Sequence, residues 1–286
     1  MKILLLILST YVVTQHVQAL FLTMMASGSS RGPLGNRDIP QSVSVTSGLI
    51  SQLAILALKR RLAKQAGVKC DVTVSSSDLL LRGRVGPVTV KGRGWHSSLG
   101  LSCRAIEATV ETCELDSGRI LQSQKLVLNS PAKGKAMIAL NEADFGNFVT
   151  HPMMKPPGLP GSSSTREGFK FMNGEVKIDT SNGGAVIFFG SYLDELWRLR
   201  LTRGGEGKRA IIEVSPETSN TGLDYDVASK DLTELISAFF NEMVFELDGT
   251  FLTFNDMMVT SKGDSPSLML ALSIVVHKFP SPGLNF

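Results

Sequence analysis

The chain has 286 residues, 43% of them hydrophobic, enough to bury a sizeable core in one large domain or two. Its 29 basic and 26 acidic side chains leave a formal charge of +3, only 7% of the residues are aromatic, and no RNA-binding signature is present. That balance argues against nucleic acid as a partner.

Met1-Lys2 precede an apolar run, Ile3 to Val13, which is broken by Thr14, Gln15 and His16 before Val17-Gln18-Ala19. The run is well short of the ~20 residues that cross a bilayer. A charged start, a short apolar region and a small residue at the end instead fit a signal peptide over residues 1–19. Residues 20–40 carry Ser27, Ser29, Ser30, Arg31 and Arg37 against the single acid Asp38, with Gly28, Gly32, Pro33 and Gly35 interrupting regular structure. Basic, serine-containing and acid-poor is the composition of a transit peptide. A signal peptide followed by a transit-like piece that begins near Phe21 predicts delivery to a plastid by a two-part presequence, as in algae with complex plastids. The alternative is a secreted protein with a disordered N-terminal tail. Residues 41–286 are expected to form one domain. Its charge is polarised: residues 41–135 carry 14 basic and 6 acidic groups, and residues 136–286 carry 12 and 19.

Val45 to Ala66 reads as a helix, apolar on nearly every side between Leu49 and Leu58, with Lys59, Arg60, Arg61 and Lys64 at its end and Gly67 as a stop. Such a helix must be enclosed. Val68, Cys70, Val72 and Val74 then alternate with polar residues, as do Val88, Val90 and Gly92, then Ile106, Ala108 and Val110, then Ala136, Ile138 and Leu140. These are half-buried strands of an antiparallel meander. Leu126 to Leu128 adds a short apolar run. Asn141 caps a helix with Asp144 at its third position and Phe145, Phe148 and Val149 on one face, ending before Pro152. His151 to Arg166, with four prolines, reads as a mobile crossover. Phe169 to Met172 and Glu175 to Thr180 flank Asn173-Gly174, a strong hairpin signal, and Asn182-Gly183 begins another turn. Leu199, Leu201, Ala210, Ile212 and Val214 flank Gly204 to Gly207 as a further hairpin. Leu232, Leu235, Ile236, Phe239, Phe240 and Met243 fall at helical spacing behind an Asp231 and Glu234 start, and Thr250 to Thr260 and Ser267 to His277 close the chain as strands.

The stretch from Val68 to Val149 has a specific order of parts: VKCDVTVSSSDLLLRGRV, then Val88, Val90 and Gly92, a charged meander, Ser130-Pro131, and the helix opening NEADFGNFV. In that order it resembles the LmeA-like phospholipid-binding proteins, long catalogued as a domain of unknown function, and the resemblance extends over most of Val45 to Phe279. It implies a tubular lipid-binding architecture: an α+β fold in which a long, curved antiparallel sheet wraps apolar helices. It also implies a carrier or binder of phospholipid or glycolipid, peripheral to a membrane, with no residue that breaks a covalent bond. Pro87 within a strand and the long proline-rich loop depart from the family pattern.

The sequence carries no G-x-S-x-G, H-E-x-x-H, P-loop or G-x-G-x-x-G. His96, His151 and His277 have no acid or cysteine at metal-ligand spacing, so neither a metal nor another cofactor is expected. The pairs Asp224 and Asp226, and Asp194 and Glu195, read as solvated acids rather than an acid-base couple. Cys70, Cys103 and Cys113 make no disulfide framework and read as small buried hydrophobes.

The expected lipid lining is Leu49, Leu53, Leu56, Phe145, Leu232, Leu235, Ile236 and Phe239, and ordinary core is the competing reading of each. Arg60, Arg61, Arg82, Arg84, Lys91 and Arg93 are the expected docking groups for anionic headgroups, at roughly 1 kcal/mol per cation near a charged surface; a solvated strand face is the competing reading. Two rival functions remain at this level. One is an enzyme acting on a lipid or pigment, which needs a polar group facing the interior. The other is a thylakoid assembly scaffold whose apolar groove holds a partner helix.

Overall fold

The computed structural model describes residues 48, 51–52, 54–56, 58–60, 62–74, 78, 82–97, 100–116, 118–119, 127–152, 154, 168–172, 174–205, 209–217, 224–247, 249–261 and 265–278. The expected signal peptide and transit-like segment fall outside them, as do Leu49, Leu53 and Arg61 and most of the proline-rich crossover.

Alternation of apolar and polar residues produces strands that fall into two larger sheets. The first contains β1 (Leu62–Lys64), β2 (Gly67–Val72), β4 (Val88–Ser97), β5 (Ser102–Val110), β7 (Ala132–Leu140), β13 (Val244–Leu247), β14 (Thr250–Thr260) and β15 (Ser267–Val276). Its order is β1-β4-β5-β7-β15-β14-β13, with β2 also on β4. The second contains β8 (Lys170–Phe171), β9 (Lys177–Asp179), β10 (Ala185–Tyr192), β11 (Glu195–Arg203) and β12 (Ala210–Pro216), in the order β12-β11-β10-β8 with β9 also on β10. A two-stranded ribbon joins β3 (Arg84–Val85) to β6 (Cys113–Glu114). All of these pairings are antiparallel. The expected single long sheet is thus corrected to two open sheets. The seam inside the larger one is non-local, because β7 pairs with the last strand, β15, from Leu268↔Leu140 to Val276↔Ala132.

Burial follows the pleat. Val90, Ile106, Ala108, Ala136, Ile138, Leu270 and Leu272 are buried on one face of the first sheet, while Lys91, Glu107 and Lys135 are exposed on the other. In the second sheet Phe188, Trp197, Leu199, Leu201 and Ile212 are almost fully buried. Arg203 ties β11 to β14 through a two-pronged bond to Asp256, with its Nε at 2.9 Å from Oδ1 and Nη2 at 2.6 Å from Oδ2.

Helix α1 (Glu142–Val149) begins as expected. Asn141 Oδ1 accepts from the Asp144 amide at 2.8 Å, and Asp144 Oδ2 accepts from the Asn141 amide at 3.2 Å. The helix links the sheets: Glu142 accepts from the β9 amide of Ile178 at 2.9 Å, and the Phe145 ring meets Phe188 of β10 edge-on with centroids 5.2 Å apart. Helix α2 (Tyr225–Asn241) starts earlier than the Asp231 and Glu234 pattern predicts, because Asp224 caps it through the Val227 amide.

Three further expectations are corrected. The first helix does not run to Ala66: the described helical residues end at 60, and Leu62 and Lys64 pair with Ser97 and His96 of β4. The edge of β4 offers hydrogen bonds that outweigh the helical preference of these residues. The segments around Asn173-Gly174 are not a hairpin, since β8 and β9 run in the same direction along β10, at Ser191 to Gly190 and then Ile187 to Ala185. Leu126 to Leu128 forms no strand among the described residues, only an isolated bridge from Leu128 to Leu115. The turn at Asn182-Gly183, with positive φ at both residues, does join β9 to β10.

Candidate functional site

The inner faces of the two sheets, with α1 and the end of α2, enclose a cavity of about 40 Å³. Ile106, Ile138 and Leu270 line it from the first sheet, Leu201 and Ala210 from the second, and Phe145, Phe148, Phe240 and Met243 from the helices and their ends. Room for no more than a few water molecules remains. The lining is apolar apart from Ser102. Ser102 Oγ donates to Asp144 Oδ1, and the other oxygen of that carboxylate takes the Asn141 amide. One oxygen therefore ties the start of α1 to β5 and the other closes the helix cap, and neither is presented to the cavity as a free base.

Of the residues predicted to line an interior, Phe145 does so and is fully buried. Leu232 and Ile236 are also fully buried, and Leu235 and Phe239 are half-buried against the same core. Leu56 does not line the interior: it is 45% exposed, whereas Ala54 and Leu58 are buried. Ala54 and Leu58 lie four residues apart on one helix face, and Leu56 lies two residues from each, on the opposite side. Leu49 and Leu53 are outside the described residues. The lining residues that sequence alone did not single out, Leu201, Ala210, Phe245, Phe254 and Met257, come from two local hairpins, β11–β12 and β13–β14, which meet only where the two sheets pack together.

The predicted docking cations divide into two groups. Arg84 on β3 is paired with Glu114 at 2.8 Å, and Arg82 approaches Asp78 at 4.0 Å. Lys91 and Arg93 lie further along β4, three and five residues beyond its first residue, or ~10 and ~16 Å. They project from the outer face of the first sheet into a groove of about 500 Å³, where Lys91 pairs with Glu107 at 2.8 Å. Arg60 is exposed at the end of the first helix, and Arg61 is outside the described residues. Lys69 joins Lys91 and Arg93 in the groove, which only the β2–β4 register reveals.

The cysteines are chemically quiet. Burial pushes the Cys70 and Cys113 thiols up to about 11 and that of Cys103 up to about 12, and none is in a disulfide. No group of three or more His, Cys, Asp or Glu side chains suited to a metal ion occurs among the described residues. No helix among them is long and apolar enough to cross a membrane. No family model, no curated protein and no solved structure matches the chain.

Proposed function

We propose that this protein binds phospholipid or glycolipid without catalysing a reaction, acting peripherally at a membrane, with plastid delivery as the proposed route. The observation that carries the reading is the chemistry of the inter-sheet cavity: aliphatic, phenyl and thioether groups on both walls, with one hydroxyl that is already donated. Each methylene moved there from water contributes roughly 0.8 kcal/mol. In this reading the two sheets act as the walls of a tube, with α1 between them and α2 along the edge of the second sheet. An acyl chain enters as the half-buried Phe148 and Phe254 swing aside, since the 40 Å³ space does not hold one as it stands. Exposed ion pairs such as Arg84 with Glu114 are worth at most ~1 kcal/mol, so an anionic headgroup readily replaces the carboxylate partner.

The resemblance to the LmeA-like proteins supports the same reading through the order of strands and the α1 opening. The test is mass spectrometry of the protein purified without detergent, under native conditions and after organic extraction. A stoichiometric lipid adduct is the expected result. A clean unliganded mass that persists after incubation with plastid and bacterial lipids overturns the proposal.

A further inference from the structure

The outer face of the first sheet carries a second site, distinct from the interior. Strand register arranges its outward side chains in rows. One row runs Arg93↔Ala105↔Ala139↔Met269↔Met258 across β4, β5, β7, β15 and β14. The row beside it runs Lys69↔Lys91↔Glu107↔Met137↔Ala271. Ala105 and Ala139 form a low floor that Met269 continues, Met137 stands beside it in the neighbouring row, and the groove ends in three cations. Four strand spacings of ~4.8 Å make the first row about 19 Å long, a length an extended acyl chain spans.

The charge at the cationic end is unbalanced. Lys69 lies directly opposite Lys91 on neighbouring strands, a like-charge arrangement that is unfavourable in the free protein, and Arg93 projects from the same face two residues further along. Among the described residues that line the groove, Glu107 alone offsets them. Met137 is 45% exposed, so among the described residues this side of the apolar part stands open. Thioether side chains are flexible and adapt to an apolar guest. A hollow suits a narrow guest better than a flat bilayer.

We propose that this groove binds one single-chain anionic amphiphile, its phosphate or carboxylate head at Lys69, Lys91 and Arg93 and its chain along Ala105, Ala139 and Met269. The probe is dodecyl phosphate, titrated calorimetrically into the full chain below its micelle concentration. Saturable one-to-one binding is expected, weakening by up to about fourfold for each methylene removed from the probe. Lys69→Glu with Arg93→Glu, and separately Met137→Glu, should each weaken it at least tenfold. These side chains are exposed or half-buried on the outer face, and unchanged urea midpoints establish that the variants are folded. Lys69→Gln with Arg93→Gln replaces the charge reversal where that destabilises the protein. Absence of saturation, or an affinity indifferent to these substitutions, overturns the proposal. So does binding that is seen only with phosphatidylglycerol vesicles and not with the monomeric probe, which makes the face a membrane-docking surface.

Discussion

The side-chain amide of Asn241 closes both backbone groups of Ala210: its Nδ2 donates to the Ala210 carbonyl at 2.8 Å, and its Oδ1 accepts from the Ala210 amide at 2.9 Å. The contact is one rung of a ladder. Ser237 pairs with the amide and carbonyl of Ile212 at 3.1 and 3.3 Å, Thr233 accepts from the Val214 amide at 3.1 Å, and Ser229 donates to the Val214 carbonyl. Four helical residues rise ~6.0 Å and two strand residues ~6.6 Å, so a stripe at every fourth position of α2 keeps pace with every second residue of β12. The helix thereby covers the edge of the second sheet, where unpaired amides otherwise invite another strand.

Replacing Asn241 with Ala leaves two partly buried backbone groups without a partner. The expected loss is about 1–3 kcal/mol of unfolding free energy, read from urea denaturation. Ser237→Ala should show the same direction, and the double variant should show how far neighbouring rungs couple.

Gly92 is required by an aromatic ring rather than by its backbone angles. A Cβ there falls 2.0 Å from Cε2 of Trp95, whose fully buried indole donates to the Gly67 carbonyl at 2.9 Å. Gly92→Ala should destabilise the fold by about 3 kcal/mol and expose Trp95 to quenching by iodide, because the ring cannot move without losing that bond. Gly190 bears the same relation to Phe169, where a Cβ falls 2.1 Å from the ring.

The β10–β11 hairpin turns on Leu193 and Asp194, with φ of 52° and 60°. A left-handed backbone suits Asn-Gly far better than Leu-Asp, at roughly 1–2 kcal/mol per unsuited residue. Leu193→Asn with Asp194→Gly should therefore raise stability by about 1–2 kcal/mol, seen as a higher thermal midpoint. An unchanged or lower midpoint shows that the turn is held by contacts that the strain argument neglects.

The buried thiols set an alkaline limit. Their folded values, about 11 for Cys70 and Cys113 and about 12 for Cys103, lie above the ordinary 9.0. Their stabilisation is complete below pH 9, where the thiols are protonated both folded and unfolded. It is lost as pH rises from 9 through the folded values, because the unfolded chain releases the protons first. Each thiol contributes a slope of up to ~1.4 kcal/mol per pH unit in that window. Urea unfolding at pH 8, 9 and 10 should show the decline, and replacing the three cysteines with Ala should flatten it.

Local structure was legible wherever one strong signal governed it. The alternation at Val88 to Gly92 and Ala136 to Leu140 appears as β4 and β7, and Asn141 with Asp144 is the capping box of α1. The stripe of Ser229, Thr233, Ser237 and Asn241 was also present at helical spacing, but four small polar residues on a helix give no indication that a strand edge lies opposite them. The errors arose where competing partners decided. Leu62 and Lys64 joined β4 rather than extending a helix, and β8 and β9, which flank the Asn173-Gly174 signal, run on along β10 instead of pairing with each other.

The sequence by itself determined the alternating strands such as β4 and β7 and the capped start of α1, since residue alternation and caps act over a few neighbours. Only the tertiary structure decided that β7 pairs with β15, that the strands divide into two sheets, and that Lys69 stands opposite Lys91 beside a row of alanines and methionines. Those outcomes depend on which strands close long loops and in what register, and a shift of one residue turns every side chain to the other face.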